Sequence, residues 1–399
     1  MVAWLSSARH PRLALVALAF IAFVGLGMPD GLLGVGWPSL RADFALPLDA
    51  LGGLLAAGVA GYTTSSFFTG TLLARFGVGR MLALSCLLTG VALLGYTLVP
   101  LWWMVVALGV VAGLGAGAID AGLNTYVAAH FGARLMQWLH ASWGVGITSG
   151  PLLMTAGLAL WQSWRVGYWT VGVFQLVLAV GFFLTLSLWE QPAPVPGGKK
   201  RLTDYQTPLG LALRQPAVWV SVALFVLYVG AETALGVWAY TLLTEARGVE
   251  PALAGVVTGS YWLMFTIGRV AAGVVAVRTG PDRLVRGGLI GALGGSALLL
   301  WNLAPIVNVL AIGLIGLAIA PIFPALMSGT AARVGDQFAA HTIGMQMAAT
   351  GVGMALIPAG IGVLADRLSL ELIPLGLLVV YAVLFGCYLL AMRLAASDQ

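Results

Sequence analysis

The sequence predicts an all-α membrane protein: twelve transmembrane helices in two pseudo-symmetric six-helix halves. Three observations carry this. The 399 residues are 60% hydrophobic and only 8% charged, a balance foreign to water-soluble domains. Apolar stretches of about 20 residues, the length that crosses a bilayer, recur along the whole chain. Short motifs of the first half return, in order, in the second.

The apolar runs fall at 13–38, 50–74, 81–99, 102–129, 135–160 and 166–188, then at 217–241, 252–277, 287–303, 305–330, 342–364 and 372–392. Arg9 and Arg12 precede the first run as in a signal peptide. No small-residue cleavage site comes before Asp30, so the run is read as a span that stays. With the N-terminus inside, fourteen of the nineteen Lys and Arg residues fall on cytoplasmic segments. Arg41, Arg165, Arg247 and Arg367 fall outside, and Arg269 within a span. The bias places both termini in the cytoplasm of a plasma (inner) membrane. The one long connection, 189–216, is rich in proline and glycine and then basic, so it divides the chain into bundles 1–188 and 217–399. The 54 glycines suit helices that pack backbone to backbone in lipid. Cys86 and Cys387 lie in apolar runs as small core residues. The net charge of +5 belongs to the loops and gives no nucleic-acid footprint.

The halves repeat. "DGLLGV" (30–35) resembles "ETALGV" (232–237). Gly70, Arg75 and Gly77 match Gly273, Arg278 and Gly280, each in the turn after the second span of its half. "GVGITSGP" (144–151) matches "GVGMALIP" (351–358). Parallel six-span repeats imply a pseudo-two-fold axis along the membrane normal, with a site expected between the halves.

Twelve spans in two repeats, a basic central loop and "GTLLARFGVGR" (70–80) together resemble the major facilitator superfamily. Gly70, Leu72, Arg75, Gly77 and Arg80 fit its cytoplasmic turn with one extra residue, while Ala74 stands where the family carries an aspartate. "GAGAIDAGLNTYV" (115–127), "LHASWGVGITSGP" (139–151), "YVGAETALGVW" (228–238) and "GLAIAPIFPALMSG" (316–329) are similar to segments of one branch. It contains fucose/galactose:proton symporters and sodium-dependent glucose transporter-like proteins. The resemblance implies solute transport by alternating access, with carboxylates in spans one and four coupling to protons. It also makes Gly70, Arg75, Gly77, Arg80, Gly273 and Arg278 parts of the cytoplasmic gate.

The residues themselves point to the same places. A charge in mid-membrane costs roughly 2.5–3.5 kcal/mol on insertion scales, yet Asp30, Asp120 and Glu232 lie deep in spans one, four and seven. The cations at hand are Arg269 and, if protonated, His140, too few to neutralise all three acids. Taking a carboxyl out of water disfavours its charged form, which suits a proton carrier. Asp30, Asp120, Glu232 and His140 are therefore the candidate proton-coupling groups. Asp120 and Asn124 share a helix face, and the stripe Gly109, Gly113, Gly117 beside them reads as close helix packing. Gln137, His140 and Trp143 follow at three-residue steps in span five. Solute contacts are expected from Asn124, Gln137 and Gln346 and from the aromatic rings of Trp37, Tyr126, Trp143, Trp238, Tyr261 and Trp262.

No P-loop, dinucleotide turn or Cys/His metal cluster is present in the sequence, so no enzyme chemistry is expected. The reading is a proton-coupled symporter for a small polar solute, a sugar, acting as a monomer without cofactor other than H⁺. Two alternatives remain open. Na⁺ is a possible coupling ion, since a carboxylate and Asn124 can hold it. A drug:proton antiporter is suggested by Gly146, Gly150 and Pro151, which satisfy the core of an antiporter motif.

Overall fold

A computed structural model describes residues 11–46, 50–189, 202 and 205–397, and among these there are helices and no strands. The helices are α1 (Pro11–Asp43), α2 (Leu51–Phe67), α3 (Thr69–Phe76), α4 (Val78–Tyr96), α5 (Trp102–His130), α6 (Ala133–Trp161), α7 (Trp164–Leu184) and α8 (Leu186–Trp189). The chain then continues through α9 (Leu209–Ala212), α10 (Pro216–Thr241), α11 (Pro251–Thr279), α12 (Pro281–Trp301), α13 (Pro305–Ile319), α14 (Ile322–Ser328), α15 (Thr330–Val334), α16 (Asp336–Arg367) and α17 (Leu372–Ser397). Proline opens several of them, at the position where a missing N–H costs nothing. Half of the 189–216 connection, residues 190–201 with 203 and 204, lies outside the described residues.

Eleven helices among the described residues are long and apolar enough to cross a membrane. The predicted second span differs. It is divided at Phe68 into α2, of 17 residues, and α3, of 8. Phe68 takes φ −88° and ψ 4°, off the helical minimum. The cause lies in the run Thr63–Ser66. Thr64, Ser65 and Thr69 turn their hydroxyls onto the carbonyls of Ala60, Tyr62 and Ser65, a competition that bends helices.

The chain forms two compact units. One takes residues up to Tyr126 together with Leu139–Gln206, and the other takes Val127–Trp138 together with residues from Thr207 onward. Each is built on glycine crossings. In the first unit, α5 lies on α2, where a Cβ on Gly113 would collide with the Gly58 carbonyl. α6 lies on α1, where one on Gly146 would collide with the carbonyl of Val24. The second unit repeats both crossings, with Gly316 on the Tyr261 carbonyl and Gly353 on that of Val226. The cytoplasmic turns repeat as well. Gly77 (φ 74°, ψ 168°) and Gly280 (φ 77°, ψ 160°) adopt one backbone conformation that only glycine enters freely.

Each unit also carries one ion pair joining the end of its first helix to the beginning of its last. In the first, Asp43 accepts from Trp164 Nε1 (2.8 Å) and Arg165 Nη1 (2.6 Å). These donors, the indole foremost, hold the Asp43 carboxyl below the usual carboxylate range. In the second, Arg247 follows the π-turn Leu242–Ala246. It grips Glu371 through Nε (3.0 Å) and Nη2 (2.7 Å) and donates to the Leu299 carbonyl (2.8 Å). The two pairs occupy matching places with their charges exchanged. They differ in the burial of the arginine: Arg247 is 3% exposed and Arg165 45%, while the carboxylates Glu371 and Asp43 are alike at 41% and 42%. Glu371→Gln is therefore expected to cost on the order of 2 kcal/mol and Asp43→Asn under about 1 kcal/mol. Thermal unfolding in detergent measures the order, and a larger drop for Asp43→Asn would refute it.

Candidate functional site

In the first unit four polar side chains from three helices join in line. The Tyr62 hydroxyl, on α2, donates to Oδ2 of Asp120 on α5. Asn124, one turn further along α5, donates its Nδ2 to Asp120 Oδ1 (2.7 Å) and to the Asp120 carbonyl (3.0 Å). The Asn124 Oδ1 lies 3.1 Å from Nε2 of His140 on α6, whose ring meets Phe23 edge-on. Asn124 is fully buried, His140 nearly so and Asp120 partly. Asp30 on α1 has an exposed carboxyl, near enough to Asp120 for the two to repel each other. The sequence linked Asp120 with Asn124 by helix register and named His140 as a further proton-coupling candidate. Asp120 and His140 meet through Asn124 itself. Tyr62 was missed, because only the α2–α5 crossing brings it near.

The second unit holds its acid differently. Glu232 on α10 lies within electrostatic reach of Arg269 on α11. Its carbonyl accepts from Tyr261 Oη (2.9 Å), and the Arg269 guanidinium lies 4.3 Å from the Phe265 ring centre. Trp262 packs edge-on to Tyr261 and is exposed. The buried Arg269 Nε and Tyr381 hydroxyl have no partner among the described residues.

The other expected solute contacts are engaged elsewhere. Tyr126 is buried against the Trp189 indole (4.7 Å). Trp37 packs on Trp102, and Gln137 donates to the Pro321 carbonyl (3.0 Å). Trp238 donates to the carbonyl of Pro358, a proline inside α16 (2.9 Å). Gln346 is fully buried between Ser221 (2.8 Å) and Thr330 (3.1 Å), a pair that also binds Arg333. Trp143 is half-buried, and its carbonyl packs on Gly27. In the cytoplasmic turns Gly70 and Gly273 are buried, the latter under the Trp138 indole, while Arg75, Arg80 and Arg278 are exposed.

Residues 15–358 match the Major Facilitator Superfamily. The chain belongs to this family. Among curated proteins it is similar to the glucose/mannose transporter GlcP of Bacillus subtilis, 25% identical over 276 residues covering 65% of this chain and 67% of that protein. It is also 24% identical over 325 residues to sodium-dependent glucose transporter 1 of Danio rerio, covering 71% of this chain but only 53% of the relative. Among solved structures, the E. coli fucose:proton symporter FucP superposes with a TM-score of 0.71 at 14% identity, over 94% of this chain and 98% of that one. At that identity the likeness is one of fold.

The internal repeat of this superfamily member isolates what is special in its first unit. The offset of 203 that joins Gly77 to Gly280 also joins Gly58 and Gly113 to Tyr261 and Gly316. In that register Tyr62 corresponds to Phe265, Asp120 to Phe323 and Asn124 to Met327; the offset of 207 for span five pairs His140 with Met347. Every member of the polar line has an apolar counterpart in the second repeat, where Phe323 and Met327 lie on α14, beyond the break that ends α13. Packing the helices therefore does not require the polar groups, and their expense in the membrane calls for another reason.

Proposed function

We propose that this transporter-family chain moves a sugar across the plasma (inner) membrane by proton-coupled symport. In this reading it works by alternating access, as a monomer with both termini in the cytoplasm. The observation that carries the reading is the line Tyr62–Asp120–Asn124–His140 beside Asp30, present in one repeat and replaced by apolar residues in the other. Two neighbouring carboxyls that repel each other favour binding one proton. Asp30 and Asp120 are the proton carriers, with His140 joined to them through Asn124. Glu232 and Trp262 are the solute contacts, an acid with aromatic surface, as a sugar's hydroxyls and ring faces require, while Tyr261, fully buried and bonded to the Glu232 carbonyl, supports them from behind. The names of the similar glucose/mannose and glucose transporters support the substrate class.

Proton coupling is favoured over sodium by the orientation of Asn124. Its amide nitrogen, not its oxygen, faces Asp120, so the carboxylate is met by donors where a cation would need oxygens. Close packing accounts for the glycines of the antiporter-like segment, since Gly146 and Gly150 lie on the main chain of α1 and Gly353 does the same on α10. The test is uptake of labelled glucose, mannose and fucose into proteoliposomes, with an inward proton gradient, an inward sodium gradient or none. Accumulation above the external concentration is expected with the proton gradient alone. Accumulation driven by sodium, or none of any sugar under any gradient, would refute the proposal.

A further inference from the structure

The proton-coupled reading leaves open what makes one carboxyl of the pair differ from the other, and α2 supplies a group for it. Asp120 is part-buried, and groups from four helices bear on it. Asp30 faces it from α1 as a like charge, and Tyr62 from α2 as a donor. Asn124 stands on its own helix, and His140 lies behind Asn124 on α6. α4 meets this stretch of α5 with Met81, Ser85 and Thr89, none of them charged. Tyr62 reaches the carboxyl because glycines remove side chains from the crossing. Gly113 lies against Gly58 and the Tyr62 nitrogen, and Gly117 against Tyr62, Ser65 and Ser66.

We propose that Tyr62 is a positioning residue of the proton site, its hydroxyl fixing the Asp120 carboxyl from α2 and favouring the ionised form, so that Tyr62 sets how tightly the Asp30–Asp120 pair holds a proton. This rests on the proton-coupled reading above. Tyr62 O–H and Asn124 N–H each donate to a separate oxygen of Asp120. The carboxylate thus has a donor on both oxygens, which favours its ionised form. Asp30 has no hydrogen-bond partner among the described residues, so it competes for the proton against a neighbour held ionised by two donors. The second repeat supports the assignment: Phe265, a tyrosine without its hydroxyl, stands in the Tyr62 register, and the Asp120 register is held by Phe323, whose ring packs on Phe225 and Tyr228, so no carboxyl is there to position.

That counterpart makes Tyr62→Phe a substitution the crossing already accommodates. The experiment follows the carboxyl C=O infrared band of the purified full-length protein against pH, the Asp120 contribution being identified by its loss in Asp120→Asn. Tyr62→Phe withdraws a bond that favours the ionised carboxyl over the neutral one, so the proton is retained to higher pH. The expected displacement is about one to two pH units, the size of a hydrogen bond to a charged group. Ser66→Ala removes a neighbouring α2–α5 bond, from Ser66 Oγ to the Gly117 carbonyl, without touching Asp120, and is expected to leave the midpoint in place. Asp30→Asn removes the like charge and is expected to move it to lower pH. Coincident midpoints for Tyr62→Phe and wild type overturn the proposal, as does an equal displacement by Ser66→Ala. The titration needs no solute. Absence of sugar uptake by the wild type sinks the transport reading, while coincident midpoints in a protein that accumulates sugar sink the Tyr62 role alone.

Discussion

Asp120→Asn is expected to abolish accumulation of solute above its external concentration while leaving exchange of labelled for unlabelled solute across the membrane. The substituted amide is nearly the size of the carboxyl and keeps an oxygen for the Tyr62 hydroxyl, so the α2–α5 crossing persists. What it lacks is the ability to bind and release a proton. A carrier that cannot take up the driving ion still exchanges solute but cannot concentrate it. Counterflow and gradient-driven uptake, measured on the same proteoliposomes, separate these abilities. Uphill uptake by Asp120→Asn at the wild-type rate would exclude Asp120 as the coupling acid.

Gly113→Leu is expected to remove transport and stability together. A Cβ there would collide with the Gly58 carbonyl and sit 2.9 Å from the Tyr62 nitrogen, so the obstacle is main chain and cannot rotate away. Overpacking of this kind costs about 1–3 kcal/mol, and the displaced α2 carries Tyr62 away from Asp120. Gly53→Leu on α2, with nothing within 4 Å of its Cβ, serves as the comparison and is expected to stay close to wild type. Thermal unfolding and gradient-driven uptake of both variants check this, and equal behaviour of the two would show that the crossing tolerates a side chain.

Helices, spans and the halves were legible because hydropathy and glycine spacing are local signals. The break at Phe68 was not read, although its cause, four consecutive hydroxyl residues from Thr63 to Ser66, stands in the sequence. Asp120 and Asn124 were legible as an i,i+4 pair. Tyr62 was not, being 58 residues from Asp120 and joined to it only by tertiary packing. Gln346 shows the opposite limit. A buried amide on a span looks like a solute contact until the structure gives it Ser221 and Thr330 as partners. Sequence alone marks which polar groups are costly, but the crossing partners decide which are occupied with one another.

The exchanged polarity of the two end-to-end ion pairs bears on how the chain sorts itself while it inserts. Two homologous halves made one after the other offer two similar first helices and two similar last helices, and each first helix has a wrong partner waiting. With the charges written in opposite order, the wrong pairings bring Asp43 to Glu371 and Arg247 to Arg165, like against like. Repulsion between like charges penalises the domain-swapped arrangement while attraction rewards the correct one. A duplicated chain thereby keeps its copies from trading helices.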